Sequence, residues 1–446
     1  MDRRFEARKR ELLEDCEVSP EVFNGMLNRL EGFAEPYVQC LVRTEQKEHA
    51  RTYFQGLLSD LQRKNAEAIA YRHDQERIGL QMFLGASPWD HHPLMDVLVD
   101  QVGAAIGETD AVISFDPSAF PKKGNNSVGV QRQWCGRLGK IDNCQVGVFM
   151  GYASREEQTL VNFRLYLPKE WAKDRRRRKA CGVPKEVRYE TRHQLALSML
   201  AESGASLPHA WVTGDDEMGR PYSFRRDLNT LGEQYLLAVP SNLLIRDLEA
   251  TPPPYCGRGR HPKVRFQTAT KWRDALPEDA WTRLEVRDAE KGPLFVDIVK
   301  RSVSGRTEKK QVAPPETLVV IRWRDEEGIQ KIDYYMSNAP VTTPLKEFAR
   351  VSKLHTRIEQ CIKRSKSEAG LAQYQVRSWN GWHHHIALSL IATWFLVQEA
   401  RLGKKMDTSD HGPAGPRGVI AVATPTHGLR YSRTNFQGSH SLVEAN

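Results

Sequence analysis

Three carboxylates, far apart in a chain of 446 residues, are the groups from which chemistry could be built: Asp116, Asp215 and Glu359. Asp116 follows a run of β-formers, Ala111 to Phe115, and precedes a proline-broken turn that carries Lys122 and Lys123 before Gly124. A carboxylate delivered to a strand end beside two lysines suits phosphodiester chemistry. A hard divalent ion takes few, rigidly held carboxylates, and lysines meet phosphate oxygens. The same pattern also serves as an ordinary turn or helix cap, so the partners of Asp116 must come from elsewhere. Asp215 closes the apolar run HAWVTG, with Asp216 and Glu217 as rivals and Gly219 to let the chain turn away. Glu359 lies in HTRIEQCIKRSK, where Glu359, Lys363 and Lys366 at i, i+4 and i+7 share one helical face, and Glu368 is the runner-up for the third acid. As a surface feature that face would be an ion-pair ladder; near a sheet edge it could supply a metal-facing acid.

The elements that must position these residues follow from periodicity. Between 106 and 245 the sequence predicts strands at 111–116, Asn143 to Tyr152 and Leu160 to Leu167, a helix from Thr191 to Ser203, and a strand at His209 to Gly214. A helix near Tyr222 to Leu231 and a strand at Gln234 to Val239 complete the segment. Strand-strand-strand-helix-strand-helix-strand is the order of an RNase H-like mixed sheet with helices on both faces, in which the first and fourth strands are neighbours. Asp116 and Asp215 would then stand side by side at one edge of the sheet. Residues 1–105 read as an all-α domain for DNA binding or dimerisation, its clearest stripe being Tyr53, Leu57, Leu58, Leu61 and Ile69 with Arg63 and Lys64 beside it. SPWDHH, Ser87 to His92, reads as a break with Ser87 or Asp90 available as a cap. The linker TPPPYCGRGRHP opens a mostly-β insertion over 246–344, with runs at Val264 to Phe266, Leu284 to Arg287, Leu294 to Val299, Leu318 to Arg324 and Ile332 to Met336. Helices over 345–406 return to the core, and 407–446 read as a flexible tail. Within the last helices, RSWNGW offers Arg377 and Trp379 on an aromatic, basic turn. His383 to His385 cannot all face one site, so capping or phosphate contact is expected of them before zinc.

Composition bounds the partners. Lysine and arginine number 65 against 56 acidic residues, a net charge of +9, and the basic residues cluster, as in RRRRK from Arg175 to Lys179. With ten tryptophans, this makes nucleic acid the favoured partner class. The seven cysteines (16, 40, 135, 144, 181, 256 and 361) form no CxxC pair, which argues against both a disulfide framework and a zinc knuckle. The N-terminus has no apolar signal core, and the longest apolar stretch, Ile386 to Val397, is too short to span a bilayer, so a cytoplasmic, nucleoid-associated protein is expected. The sequence holds no Walker loop, dinucleotide fingerprint or nucleophile elbow.

The motifs RKNAEAIA, LQMFL with SPWD, FDPSAFPKKGNNSVGVQRQWCGRLGKIDNCQVGV, LYLPKEW, WVTGDDEMG and RIEQCIKRSKSEAGLAQYQVRSWNGWHHH together resemble bacterial insertion-sequence transposases of the DDE class, over about residues 45 to 400. That resemblance implies Asp116, Asp215 and Glu359 as catalytic, metal-binding acids, with Mg2+ as cofactor and Mn2+ as a substitute. Lys366 falls where the family's tyrosine-arginine-glutamate-lysine signature has its lysine, while Ser352 and His355 occupy the tyrosine and arginine positions and Arg357 is the candidate to replace the arginine. Lys122, Lys123, Arg357, Lys363, Lys366, Arg377, Trp379, Arg63 and Lys64 are the expected DNA contacts. The implied partners are transposon terminal inverted repeats and target DNA, met as a homodimer or higher oligomer. A stand-alone RNase H-like nuclease, and a transposase-derived DNA-binding protein without catalysis, are the alternatives.

Overall fold

The computed structural model describes residues 24–287, 294–324 and 328–409. It opens with helices α1 (Asn24–Gln39), α2 (Thr44–Leu57), α3 (Ala66–Arg72), α4 (Arg77–Gly85) and α5 (His92–Ile106). Their apolar stripes meet in one core, where Tyr53, Leu57, Leu61 and Ile69 are all buried. Asn65 caps α3 by accepting from the Ala68 amide at 2.9 Å. Asp90 accepts from the His92 amide at 3.1 Å as α5 begins.

A sheet follows: β1 (Val112–Pro121), β2 (Gln131–Cys135), β3 (Lys140–Ala153) and β4 (Gln158–Tyr166). After short helices α6 (Lys169–Lys173) and α7 (Arg175–Ala180) come α8 (Arg192–Ser203), β5 (Trp211–Gly214), α9 (Asp216–Gly219), α10 (Tyr222–Thr230) and β6 (Tyr235–Ala238). β3 runs antiparallel between β1 and β4, while β5 and β6 run parallel to β1, giving the order β4-β3-β1-β5-β6. This is the RNase H-like arrangement expected from the sequence. The short strand β2, which pairs with Lys140 to Cys144 of β3, was not expected.

The insertion supplies β7 (Leu244–Asp247), β8 (Gln267–Thr268), α11 (Ala269–Asp274), β9 (Thr282–Arg287), β10 (Leu294–Arg306), β11 (Val312–Arg324) and β12 (Gln330–Ser337). It is mostly β, and it does not build a sheet of its own. β12 pairs antiparallel with β6, so β11, β10, β7 and β8 extend the core sheet, which holds 12 strands among the described residues. The expected strand at Val264 to Phe266 is absent; pairing begins at Gln267.

Two long helices close the core, α12 (Leu345–Glu368) and α13 (Trp379–Ser409). Alternation along the strands separates their face from that of α8. Ser114 and Ser118 of β1 reach His355 and Lys366 of α12, and Gly151 of β3 lies against Ile358. Phe163 of β4 meets Trp382 of α13, whereas its neighbour Asn162 donates to Ser203 of α8 on the other face. The chain forms two compact units, 1–397 and 398–446, and the site described below belongs to the first. The expected tail lies outside the described residues from 410 onward.

Candidate active site

β1 does not end at Asp116. It pairs with β5 only as far as Phe115 opposite Gly214, then continues to Pro121 with β3 alone. Pro117 is tolerated there because one side of β1 has lost its neighbour, which is where a residue without an N–H can sit in a strand. Asp116 therefore stands at the point where the sheet opens. Across that opening, β5 stops and Asp215 begins the next turn, capping α9 by accepting from the Met218 amide at 2.9 Å. Gly219 is required for a reason the sequence did not reveal: a Cβ there would lie 1.9 Å from the Ala238 carbonyl oxygen of β6.

The third acid comes from α12, which lies along β1. His355 Nδ1 is 3.1 Å from Ser114 Oγ, and Lys366 donates to Ser118 Oγ at 2.6 Å. These two contacts fix the register of helix on strand, and between them Glu359 and Asp116 line the same cavity. That cavity, about 980 Å³, is walled by Asp116, Asp215, Glu217 and Glu359, with Arg63, Arg137, Arg192, Lys363 and Lys366 among the cations around them.

Electrostatics follow from this gathering of acids. Burial, then the charges of Asp215 and Glu359, push the Asp116 carboxyl well above its usual range, against the pull of Lys366. Asp215 is raised to about 7, first by burial and then by Glu217, Asp216 and Glu359. Glu359 is raised as well, by the surrounding protein and by Asp333. Clustered carboxylates that resist ionising are the donor set a divalent cation relieves, and an all-carboxylate oxygen set suits Mg2+ or Mn2+ better than zinc. Among the described residues, only Asp90, His91 and His92 bring three ligand atoms within 4.8 Å of one another, and none of those lines the cavity.

Several expected DNA contacts lie elsewhere. Because β1 runs on for five residues past Asp116, at roughly 3.3 Å each, Lys122 and Lys123 are carried away from the acids. With Arg377 they line a neighbouring cavity of about 660 Å³ that shares Tyr374 and Gln375 with the first. The Lys122 ammonium is 3.4 Å above the Tyr374 ring, and burial lowers it to about 8. Lys64 is not a surface cation at all. It is buried, donating to the Leu57 carbonyl at 2.8 Å and the Glu368 carbonyl at 2.5 Å, so it stitches the ends of α2 and α12 together. Arg357 does not line the cavity and donates to the Arg155 carbonyl at 2.5 Å. His355, where the resembled signature has an arginine, is buried and lowered to about 4, so it is neutral at pH 7. Trp379 packs its ring 4.3 Å from that of His383.

His383, His384 and His385 are all buried on α13 and point three ways. His383 contacts the Trp379 carbonyl, His384 lies between the carbonyls of Leu84 and Trp89, and His385 meets Tyr53 and Gly370. Among the described residues, none of the three lines either cavity, although His385 backs the Tyr53 and Tyr374 that do. The sequence reading missed Trp134 and Arg137 of the β2–β3 hairpin, and Arg192, which pairs with Glu217. The alternation in Gln131 to Trp134 before the turn Gly136 to Gly139 was the signal available for the first two.

The chain belongs to the DDE superfamily endonuclease family, whose model it matches over residues 36–293. It is thus an endonuclease of the class that uses divalent metal; Glu359 lies beyond the matched stretch. More particularly, it is 26% identical over 330 residues to a probable transposase for insertion sequence element IS701 of Microchaete diplosiphon, covering 72% of this chain and 74% of that one. Among solved structures, it is similar at a TM-score of 0.38 and 8% identity to the piggyBac transposase synaptic complex with hairpin DNA, over 84% of this chain and 69% of that one. It is similar at a TM-score of 0.23 and 8% identity to the NurA nuclease from Sulfolobus solfataricus, over 73% and 94% of the two chains. Among the described residues, no helix is long and apolar enough to cross a membrane.

Proposed function

We propose that this protein is a DNA transposase that cuts the ends of an insertion sequence and joins them to target DNA, with Asp116, Asp215 and Glu359 as the catalytic acids. The observation that carries the reading is the convergence of carboxylates from β1, from the turn after β5 and from α12 on one cavity ringed by cations. Mg2+ held by these acids would lower the barrier by activating the attacking oxygen and neutralising the leaving one. The chain's own residues do the rest. Asp116, paired with Phe149 of β3 on one side and open on the other, fixes the position about which the other two acids are arranged. Lys366, tied to Ser118, places one positive charge beside Asp116, where a phosphate oxygen would lie. Lys363 and Arg63, exposed at the cavity wall, would meet flanking phosphates. No covalent link to the protein is needed. Binding to terminal inverted repeats and assembly as a dimer on paired ends belong to this proposal as what the resemblance to insertion-sequence transposases implies.

Asp116→Asn keeps the shape and removes one charge. It should leave binding of DNA carrying the element's ends within about threefold and lower Mg2+-dependent cleavage by at least ~10³-fold, the scale of losing a group that acts in the transition state. Cleavage at the parent rate by the purified variant would remove Asp116 from the chemistry.

A further inference from the structure

The break between α4 and α5 carries donor atoms that the acid cavity does not use. Asp90, His91 and His92 bring three ligand atoms within 4.8 Å of one another. His92 Nδ1 is 2.6 Å and His91 Nδ1 3.9 Å from the same Asp90 Oδ1. Those distances bracket the roughly 3.3 Å that separates donor atoms around a tetrahedral ion at zinc bond lengths. A fourth donor comes from α13: the His383 ring lies 5.0 Å from that of His91, which in turn lies 4.2 Å from that of His92. His383 is 4% exposed. Its Nδ1 is 2.9 Å from the Trp379 carbonyl, and a carbonyl only accepts, so in the neutral ring Nδ1 carries the proton and Nε2 the lone pair. Among the described residues, neither that Nε2 nor either ring nitrogen of His91, whose side chain is 12% exposed, has a hydrogen-bond partner. Polar atoms this deeply placed are costly to leave unpaired. An imidazole with one nitrogen tied to a carbonyl and the other open is the arrangement that metal-ligating histidines adopt. The segment is also held in place, because His384 stacks 3.7 Å from Trp89 and meets its carbonyl at 2.8 Å, one residue before Asp90.

We propose that Asp90, His91, His92 and His383 bind one transition-metal cation of the Zn2+ class, at a site separate from the acids that ties the α4–α5 connection to α13. Imidazole-rich donors select Zn2+, Co2+ or Ni2+ over Mg2+, which the oxygen-only acids suit. None of the four residues lines either cavity, so the effect of the ion is on the hold of the N-terminal helices on α13. The site stands whether or not the chain is a transposase.

The test is metal binding by the untagged full chain, stripped with chelator and then kept in excess Mg2+ so that the acids are occupied. Zn2+ is titrated by calorimetry into the parent, Asp90→Asn, His92→Ala and His383→Gln, and Co2+ binding is read from its visible spectrum. The expected result is one Zn2+ per parent chain, bound at least ~tenfold more weakly by each variant. The thermal midpoint should rise with Zn2+ in the parent and stay put in His92→Ala. Co2+ should show the bands of nitrogen and oxygen ligands without the sulfur band that a cysteine would add. Asparagine at position 90 can still cap α5, and His92 is exposed, so both variants should melt with the parent in chelator. Should His383→Gln fail to fold, these two decide. No Zn2+ bound by the parent, binding unchanged in Asp90→Asn and His92→Ala, a Co2+ sulfur band, or Zn2+ displaced by Mg2+ would each overturn the proposal.

Discussion

At the scale of single residues, protonation divides the acids from ordinary surface carboxylates. Asp215 has its pKa raised from 3.8 to about 7, chiefly by burial. Between those values the folded chain holds a proton that the unfolded chain has lost, so metal-free stability falls as pH rises through that window. Asp215→Asn removes the penalty. In chelator at pH 8 the variant should be more stable than the parent by roughly 1–2 kcal/mol, and at pH 3.5 the two should coincide. Saturating Mg2+ should reverse the order by stabilising the parent, which thermal melts with and without the ion can read. A parent that loses stability on Mg2+ addition would contradict the donor assignment. The same carboxylates must ionise to hold metal, so cleavage should rise with pH through about 7.

Much about these residues was legible in the sequence because each acid follows a local signal: an apolar run for Asp116 and Asp215, a helical face for Glu359. Lys64 shows what such signals cannot carry. Its sequence neighbourhood, with Arg63 beside an apolar stripe, reads as surface, yet carbonyls at the ends of the preceding helix α2 and of distant α12 capture it. Only the packing of α2 on α12 decides between the two neighbours.

At the scale of elements, the site depends on two attachments. One is α12 to β1, through Ser114 and Ser118. The other joins the insertion to the turn after β5: Arg225 of α10, fully buried, pairs with Glu316 of β11 at 2.7 Å and donates to the Gly219 carbonyl at 2.5 Å. Tyr235 of β6 donates to the same Glu316 at 2.7 Å. Arg225→Met would strand the buried carboxylate and should cost about 3–5 kcal/mol, measurable by urea unfolding, while adding Glu316→Leu should recover most of it. Equal losses in the single and double variants would show that the cost does not come from a stranded carboxylate, and no loss in the single variant would show that the pair contributes nothing to this attachment. The order of strands and helices in the core was readable because their periods differ and each run is apolar. Extents were not. β1 passes two prolines because its neighbour stops, and β7 lies just before the linker, where the sequence predicts no strand, since its register is set by β10 rather than by its own four residues. Nor could periodicity reveal that the insertion would continue the core sheet, which is decided by β12 finding the free edge of β6.

At the scale of the whole molecule, the basic residues behind the charge of +9 are divided between exposed positions, which the proposal gives to DNA, and interior ones. Part of the RRRRK run is spent within the chain: Arg178 donates to the Pro184 and Val187 carbonyls, and Arg177 stacks 4.5 Å over Trp171. Salt dependence separates the two uses. Lys363→Ala should weaken DNA binding and reduce the slope of log K against log salt by about 1, whereas Lys64→Met should lower stability and leave the slope alone. A reduced slope for Lys64→Met would put its ammonium on DNA and contradict its burial. The measurement that bears most directly on the account is a Mg2+-dependent reaction of the purified chain on linear DNA bearing its element's ends. Cleavage and strand joining are scored separately, beside Glu359→Gln. The account predicts both products from the parent and neither from the variant. Cleavage without joining would make the chain a nuclease, and DNA binding with neither product, or full activity in Glu359→Gln, would contradict the role assigned to the three acids.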